Sequence, residues 1–159
     1  MMNVRRPAII VDRDGTLFSV EHHKHNGEIS DWESYNGLAA FDAPVPWVAA
    51  ILRSVRPGIE RIITSGRVER VRRSFVAALD KHDIPYDYLF MRSDGDTRRD
   101  STVKLELYRE KIEPYFDVKL CIDDRPQVIE AWKSIGLHVI TVRDPGIEPR
   151  LIQASLRLP

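Results

Sequence analysis

The sequence has little cysteine and no long hydrophobic run. Its single cysteine, Cys121, excludes an intrachain disulfide and fits a reducing compartment. Cys121 lies inside an apolar run, which favours a buried core residue over a nucleophile. The N-terminal apolar run ends at Asp12, so it is too short for a signal peptide or a membrane span. We therefore predict a cytoplasmic protein with no membrane partner.

Net charge is absent as well, because 24 basic residues balance 24 acidic ones. This balance argues against an electrostatic grip on nucleic acid by the whole surface, but it leaves room for a local basic patch. Internal repeats, low-complexity segments and linkers are missing too. With 159 residues and 43% hydrophobic content, the chain is long enough to bury one core. We predict a single domain over residues 1–159.

Short apolar runs rich in β-branched residues alternate with segments of helical spacing. The predicted strands are residues 7–11, 59–64, 86–91, 118–122 and 138–142. The predicted helices are residues 43–55, 68–79, 105–112 and 126–135. Asp42 is placed to cap the first of these helices. The alternation predicts an α/β fold, in which helices cover a parallel sheet.

The first predicted strand ends in two carboxylates, Asp12 and Asp14, and Gly15 follows at once. Side chains alternate along a strand, so both carboxylates start on the same side of the ligand-binding edge of the sheet. Close carboxylates repel each other, and a hard cation such as Mg²⁺ relieves that repulsion. Asp123 and Asp124 end the fourth strand, where one of them could complete a cation site. The alternatives are an Asp-Gly turn with solvated acids, and Asp124 as a helix cap.

Two other segments predict anion binding at the same edge. Ser65, Gly66 and Arg67 follow the second strand and lead into a predicted helix, so a hydroxyl, backbone amides and a guanidinium converge there. Lys104 lies near the start of a helix and off its apolar stripe, free to point at a phosphate. The alternatives are that Ser65 only caps the helix and that Arg67 and Lys104 are solvated.

Residues 18–41 break this pattern, because they are polar and aromatic without a clear period. A connection this long is usually functional, and it is too short for a cap domain with its own core. We predict a small flap over the acid pair and an open active site. The flap contains three histidines, His22, His23 and His25. They either bind a metal or form a solvated loop, and Trp32 and Tyr35 either stack on a base or pack against the core.

Four features follow predicted strands in this order: an acid pair, a Ser/Thr, a Lys and a second acid pair. With them, the sequence resembles the haloacid dehalogenase (HAD) superfamily over essentially the whole chain. The resemblance implies a three-layer, Rossmann-like core with a five-stranded parallel sheet in the order 5-4-1-2-3, a minimal cap and Mg²⁺-dependent phosphoryl transfer. It implies that Asp12 is the nucleophile and forms an aspartyl-phosphate, and that Asp14 is the general acid and base. It also implies that Ser65 and Lys104 hold the phosphoryl oxygens, and that the Asp12 carboxylate, the Asp14 carbonyl and Asp123 hold Mg²⁺.

Within that superfamily, four segments are similar to the phosphatase domain of bacteriophage polynucleotide kinase/phosphatase. They are residues 65–67, 95–104, 116–120 and 122–128. The similarity implies the removal of 3′-phosphates from polynucleotide ends or nucleotides. It also implies that substrate is bound by Gly66, Arg67, Arg98 and Arg99. Asp100 and Asp124 would support the metal and Lys104.

The chain departs from that relative in lacking the GxxxxGK[ST] motif of its P-loop kinase domain. We therefore expect any kinase or ligase to be a separate partner. Two other functions stay open: a HAD phosphatase of small molecules or 5′-nucleotides, and a non-catalytic module that binds nucleic-acid ends. The complete set of Asp12, Asp14, Lys104 and Asp123 argues against the second. Monomer and homodimer both stay open, with the apolar segment 151–158 as one candidate dimer contact.

Overall fold

The strands form one parallel sheet of five members. The computed structural model describes residues 4–24 and 32–142, with side-chain positions from Tyr35 onwards in the second range. The strands are β1 (Arg6–Asp12), β2 (Glu60–Val68), β3 (Tyr88–Arg92), β4 (Phe116–Asp123) and β5 (Val139–Thr141). They lie in the order β3-β2-β1-β4-β5, which confirms the predicted order read from the opposite edge. The segment 151–158 and His25 lie outside the described residues.

Helices occupy both faces of the sheet. They are α1 (Trp32–Gly37), α2 (Pro46–Ser54), α3 (Arg72–Lys81), α4 (Asp100–Leu107) and α5 (Pro126–Ser134). A π-helical turn, Tyr108–Ile112, extends α4, and short 3-10 turns cover Glu21–His23, Ala39–Phe41 and Glu69–Val71. Among the described residues, no helix is both long enough and apolar enough to cross a membrane.

Two hydrophobic cores flank the sheet, because neighbouring residues of β1 point to opposite faces. On one face, Val11 packs with side chains of α2 and α3. On the other, Ile10 packs with the π-helical turn and with Trp132 of α5. Cys121 lies in this second core, where burial raises the pKa of its thiol to about 12. The three layers confirm the predicted α/β architecture, and the burial of Cys121 agrees with the core role that was predicted for it.

Two predicted helix starts are wrong. The helix α2 begins at Pro46 rather than at 43, and Asp42 does not cap it, because its carboxylate is buried among arginine side chains. Strand β2 continues to Val68, so α3 begins at Arg72 instead of following Ser65. The pairing of β2 with β3 shifts between Ser65 and Val68 and then resumes. The predicted helix N-terminus beside Ser65 is therefore absent from that position.

The segment predicted as a flap is partly core. Phe18 is fully buried and forms an isolated bridge with Pro44, and Val20 is also buried. Farther along, Tyr35 and Asn36 line the same cavity as Asp12. The side chain of Trp32 lies outside the described positions. The segment thus begins in the core and reaches the cavity through α1.

Candidate active site

The carboxyl ends of β1, β2 and β4 meet at one edge of the sheet. Asp12 pairs with Thr64 across β1 and β2, while Val11 pairs with Ile122 across β1 and β4. This register brings Asp12 and Asp123 to the ends of neighbouring strands, where ligands bind in open α/β sheets. A cavity of about 550 Å³ opens there, lined by both carboxylates of the first acid pair and by Arg67.

One half of the site, which we call the Asp12 cluster, consists of Asp12, Asp123, Asp124 and Lys104. The Lys104 ammonium lies 2.5 Å from Asp12 Oδ1 and 3.0 Å from Asp123 Oδ2, and it is almost completely buried. Burial alone would lower the pKa of Lys104, but Asp12 and Asp123 outweigh it and raise the pKa well above its ordinary value. Lys104 is therefore a buried cation, and its predicted solvated alternative is wrong.

The carboxylates of the Asp12 cluster fit a divalent cation. Oxygens of Asp12, Asp123 and Asp124 lie within 4.8 Å of one another. Asp12 Oδ2 is buried without a hydrogen-bond partner in the described part of the chain. Burial, followed by the neighbouring carboxylates, raises the pKa of Asp12 well above its ordinary range, although Lys104 opposes this. Three carboxylates against one ammonium leave an excess of negative charge, which hard cations with oxygen ligands neutralise.

Two glycines make room for the carboxylates that were predicted to support the metal. Gly15 has φ of +85°, and a Cβ there would lie 2.3 Å from Asp124 Oδ2. A Cβ on Gly66 would lie 2.2 Å from Asp100 Oδ1. Thr16 donates a hydrogen bond to Asp124 Oδ1 at 3.2 Å. Close packing of backbone against carboxylate therefore fixes Asp124 and Asp100 at the edge of the site.

Asp100 joins the Asp12 cluster to the arginines of the cavity. It lies 3.5 Å from the Lys104 ammonium, 3.4 Å from Arg92 and 3.6 Å from Arg125. Arg92 and Arg125 also line the cavity, and sequence reasoning assigned neither of them to it as a site residue. Arg125 directly follows the second acid pair, which was the available signal.

The other half of the site, which we call the Asp14 ring, consists of Asp14, Asp42, Arg13 and Arg67. Asp14 Oδ1 lies 2.7 Å from Arg13 Nη1 and 2.8 Å from Arg67 Nη2, and both nitrogens also reach Asp42. Burial would raise the pKa of Asp14, but Arg13 and Arg67 outweigh it, so the pKa lies below its ordinary value. The ring is a balanced set of two carboxylates and two guanidinium groups.

The predicted phosphate-binding residues lie against this ring. Ser65 Oγ donates to Asp14 Oδ2 at 3.0 Å and accepts from the Arg67 amide at 3.1 Å. The Arg67 guanidinium lines the cavity and lies 3.6 Å from the centre of the Tyr35 ring. The Gly66 carbonyl accepts a hydrogen bond from Arg92. Ser65 is completely buried beneath Asp14, whereas Arg67 faces the cavity.

Arg98 and Arg99, predicted to contact the nucleic-acid strand, are both exposed. Arg98 lines the cavity but is bound on two sides, 2.7 Å from Asp96 and 2.5 Å from Glu106. The carboxylates of Asp96 in the loop and Glu106 in α4 thus hold Arg98 at the rim of the cavity.

Sequence reasoning missed the part that Asp42 and Arg13 play in the site. Side chains alternate along a strand, so Arg13, between the two aspartates, is expected to point away from them; its guanidinium is buried, yet it contacts Asp14. The signal for a role of Arg13 in the site was its place in the sequence between two aspartates. Asp42 lies in a loop far along the chain from the motifs. Its position just before a predicted helix indicated an ordinary helix cap.

Known proteins resemble this chain in sequence and in fold. The sequence matches the family of polynucleotide kinase PNKP phosphatase domains over residues 6–146. The chain belongs to this family. That membership confirms the predicted HAD-type family and the predicted class of enzyme, a phosphoric monoester hydrolase.

Solved structures agree with that assignment. A protein of a Pnkp1/Rnl/Hen1 complex superposes with a TM-score of 0.79 and 30% identity, covering 87% of this chain and 46% of its own. A protein of a Pnkp1/Rnl/Hen1 RNA repair complex superposes with a TM-score of 0.77 and 33% identity, and the match covers 87% of this chain and 42% of that protein. A class C acid phosphatase from Bacillus anthracis shares the fold, with a TM-score of 0.64 and 16% identity, and the match covers 89% of this chain and 68% of that protein. The chain therefore spans less than half the length of the first two relatives.

Proposed function

We propose that this chain is a Mg²⁺-dependent phosphatase that removes 3′-phosphates from polynucleotide ends through an aspartyl-phosphate on Asp12. The observation that carries the proposal is the Asp12 carboxylate itself. It lines the cavity, one oxygen contacts Lys104, and the other is buried with no hydrogen bond from the described residues. An oxygen in that position is available to attack phosphorus and so to divide the displacement into two easier steps.

The cation would be held by Asp12, Asp123 and Asp124, together with the backbone carbonyl of Asp14. When bound, it supplies positive charge between the nucleophile and the phosphate dianion. Lys104 lies against Asp12 and Asp123 and adds a further fixed positive charge next to the nucleophile. Burial is the first cause of the raised pKa of Asp12, and Lys104 opposes it. A bound cation would oppose it further and so favour the ionised carboxylate that attacks phosphorus.

In the first step, Asp12 forms a bond to phosphorus as the bond to the leaving oxygen breaks. The electron pair stays on the leaving oxygen, and Asp14 donates a proton to it. Asp14 is ionised in the ring, so it must take up a proton from solvent when substrate binds. A phosphate beside Arg67 shares that guanidinium with Asp14, which weakens the interaction that lowers the pKa of Asp14.

In the second step, water attacks the phosphorus of the Asp12 phosphoenzyme. Asp14, now deprotonated, accepts a proton from that water, and the bond from phosphorus to the Asp12 oxygen breaks. Inorganic phosphate leaves with the Asp12 carboxylate restored, and Asp14 releases the accepted proton to solvent, so that it is again ionised in the ring. Ser65 holds Asp14 in place through its hydrogen bond to Oδ2, while Arg67 would hold the phosphoryl oxygens.

The polynucleotide end as substrate is supported by the family and by the shape of the site. The matched family is that of polynucleotide kinase phosphatase domains, and one relative was solved in an RNA repair complex. The cavity is lined by Tyr35 and Asn36 on one side and by Thr97 and Arg98 on another, which are groups able to contact a sugar or a neighbouring phosphate. By analogy with those complexes, a separate kinase or ligase would supply the other repair steps.

The test compares phosphate release from 3′-phosphorylated oligonucleotides, 5′-phosphorylated oligonucleotides and free nucleotides, each with and without Mg²⁺. We expect the 3′-phosphorylated oligonucleotide to have the highest kcat/KM, and Asp12→Asn to abolish release while the protein stays folded. A preference for free nucleotides would contradict the end-repair function and support a small-molecule phosphatase. End-specific binding without Mg²⁺-dependent release would instead support a non-catalytic binding module.

A further inference from the structure

We propose that Asp42 is a positioning residue for the phosphatase reaction, holding Arg67 in place from the side opposite the substrate. The inference rests on the proposed function of this site. Asp42 follows the 3-10 turn Ala39–Phe41, far along the chain from the motifs that end the strands, and its side chain is completely buried. A carboxylate buried to that degree needs several partners, since an unpaired buried charge is strongly unfavourable.

The partners of Asp42 close a ring with Asp14. Asp42 Oδ2 accepts hydrogen bonds from Arg13 Nη1 at 2.6 Å and from Arg67 Nη2 at 3.1 Å. The same two nitrogens lie 2.7 and 2.8 Å from Asp14 Oδ1. Two carboxylate oxygens and two guanidinium nitrogens therefore alternate around a closed circuit. Asp42 sets the position of each guanidinium relative to Asp14.

The surroundings leave the two guanidinium groups few other positions. Arg13 donates to the Ala39 carbonyl at 2.8 Å and lies 3.9 Å from the centre of the Phe75 ring. Arg67 donates to the Tyr35 carbonyl and lies against the Tyr35 ring. Without the charge of Asp42, two buried guanidinium groups share one carboxylate, and the balance of the ring is lost. At least one of them must shift, and Arg67 is the one that faces the cavity.

The second oxygen of Asp42 connects the ring to the turn Glu21–His23. Asp42 Oδ1 lies 2.6 Å from His23 Nε2 and 3.1 Å from His22 Nε2, and the two imidazole rings lie 3.8 Å apart. A divalent cation on this oxygen would add charge to a ring whose carboxylates are already neutralised. The histidines therefore act as hydrogen-bond donors, and Asp42 joins the turn to Arg67.

The experiment is a double-mutant cycle on the full chain with Asp42→Asn and Arg67→Gln. We expect Asp42→Asn to lower kcat about 100-fold, the scale expected when a reacting group is displaced by about 1 Å. Adding Asp42→Asn to Arg67→Gln is expected to cause little further loss, because Asp42 acts through Arg67. The matched control is Asp87→Asn, which removes a carboxylate bound by Arg61 at the other end of β2 and is expected to leave kcat unchanged.

Two readouts separate a positioning role from a structural one. Asp42→Asn is expected to change the Kd of inorganic phosphate, measured by calorimetry, about threefold or more, because Arg67 moves or gains free charge. His23→Gln, which keeps a donor for Asp42, should retain more activity than His23→Ala. If the wild-type protein releases no phosphate but binds it in an Asp42-dependent way, the proposed function fails and the positioning role stands.

Three results would overturn the positioning role. The first is additive loss of activity in the double variant. The second is an Asp42→Asn protein whose kcat and phosphate Kd both equal those of the wild type. The third is stabilisation by Zn²⁺ that is lost in His23→Ala, since this would make Asp42 a metal ligand instead.

Discussion

The two halves of the active site differ in their charge balance. The Asp12 cluster contains three carboxylates and one ammonium, whereas the Asp14 ring contains two carboxylates and two guanidinium groups. The first half therefore has a negative excess that a cation would neutralise, whereas the charges of the second half balance within the protein. This difference matches the two proposed tasks, since covalent attack on a phosphate dianion needs added positive charge and proton transfer needs a tunable acid.

The largest expected effect comes from removing Lys104, the ammonium of the Asp12 cluster. Lys104→Met should lower kcat by about 10²- to 10³-fold, the scale for losing one preorganised charge contact. In the absence of Mg²⁺ it should also destabilise the fold by about 3–5 kcal/mol, because the buried carboxylates of Asp12 and Asp123 lose their partner. Thermal unfolding with and without Mg²⁺ measures this, and Mg²⁺ should restore part of the loss.

The control for Lys104→Met is Lys133→Met, which removes an exposed ammonium from α5. Its kcat and unfolding temperature should stay at wild-type values. Unchanged turnover in Lys104→Met would contradict the idea that the Asp12 cluster depends on added positive charge.

A smaller effect is expected from Gly15, whose backbone packs against Asp124. Gly15→Ala places a residue at positive φ, which costs on the order of 1–3 kcal/mol, and it also pushes the Asp124 carboxylate away. We expect lower stability together with weaker Mg²⁺ binding. The matched control is Gly58→Ala, which has φ of +90° but open space around the new Cβ. It should lose stability without any change in Mg²⁺ affinity, measured by calorimetry. Equal Mg²⁺ affinities for the two variants would show that Asp124 takes no part in holding the cation.

The smallest effect is a pH dependence of stability in the metal-free protein. Burial, and then Asp123, raises the pKa of Asp124 to about 6. The folded protein therefore binds this proton more tightly than the unfolded chain, so the stabilisation is complete near pH 4 and is lost as the pH rises through about 6. Asp124→Asn should remove that dependence.

The measurement is the difference in unfolding temperature between Asp124→Asn and the wild type from pH 4 to pH 7. Without a cation, the difference should grow in favour of the variant as the pH rises. Saturating Mg²⁺ should reverse it, because the ionised carboxylate then gains a partner. A difference that is independent of pH would contradict the negative excess assigned to the Asp12 cluster.

The contrast between the two halves also shows what the sequence could predict. The segments that contain Asp12 and Asp123 end predicted strands, and Lys104 was predicted near the start of a helix. Parallel strands bring their carboxyl ends to one edge of the sheet, independently of the loop sequences. Asp42 could not be predicted in this way. Its partners are Arg13, which follows β1, and Arg67, which lies in β2, whereas Asp42 itself lies in a loop without periodicity. Its sequence context was equally compatible with a helix cap.

The predicted start of the helix after Ser65 was wrong for a similar reason. The hydrophobic spacing from Val68 onwards suited a helix, but strand pairing resumes at Val68 after the shift in register. Competition between a further β-pairing and a helical turn depends on the neighbouring strand, which periodicity within one segment does not contain. The two cores, by contrast, follow from alternation along the strands, and the sheet order was implied by the resemblance to the HAD superfamily.

The most direct test of the division between the two halves is to locate the phosphoryl group during turnover. The Asp14→Asn protein would be mixed with p-nitrophenyl phosphate and Mg²⁺, quenched in acid and digested for mass spectrometry. The leaving group of that substrate needs no proton, so the first step should proceed while hydrolysis of the intermediate is slow. We predict a phosphoryl group on Asp12 in this variant and none after the further change Asp12→Asn. A wild-type enzyme that turns over while Asp12 stays unmodified in the variant, or a phosphoryl group on another residue, would contradict the account.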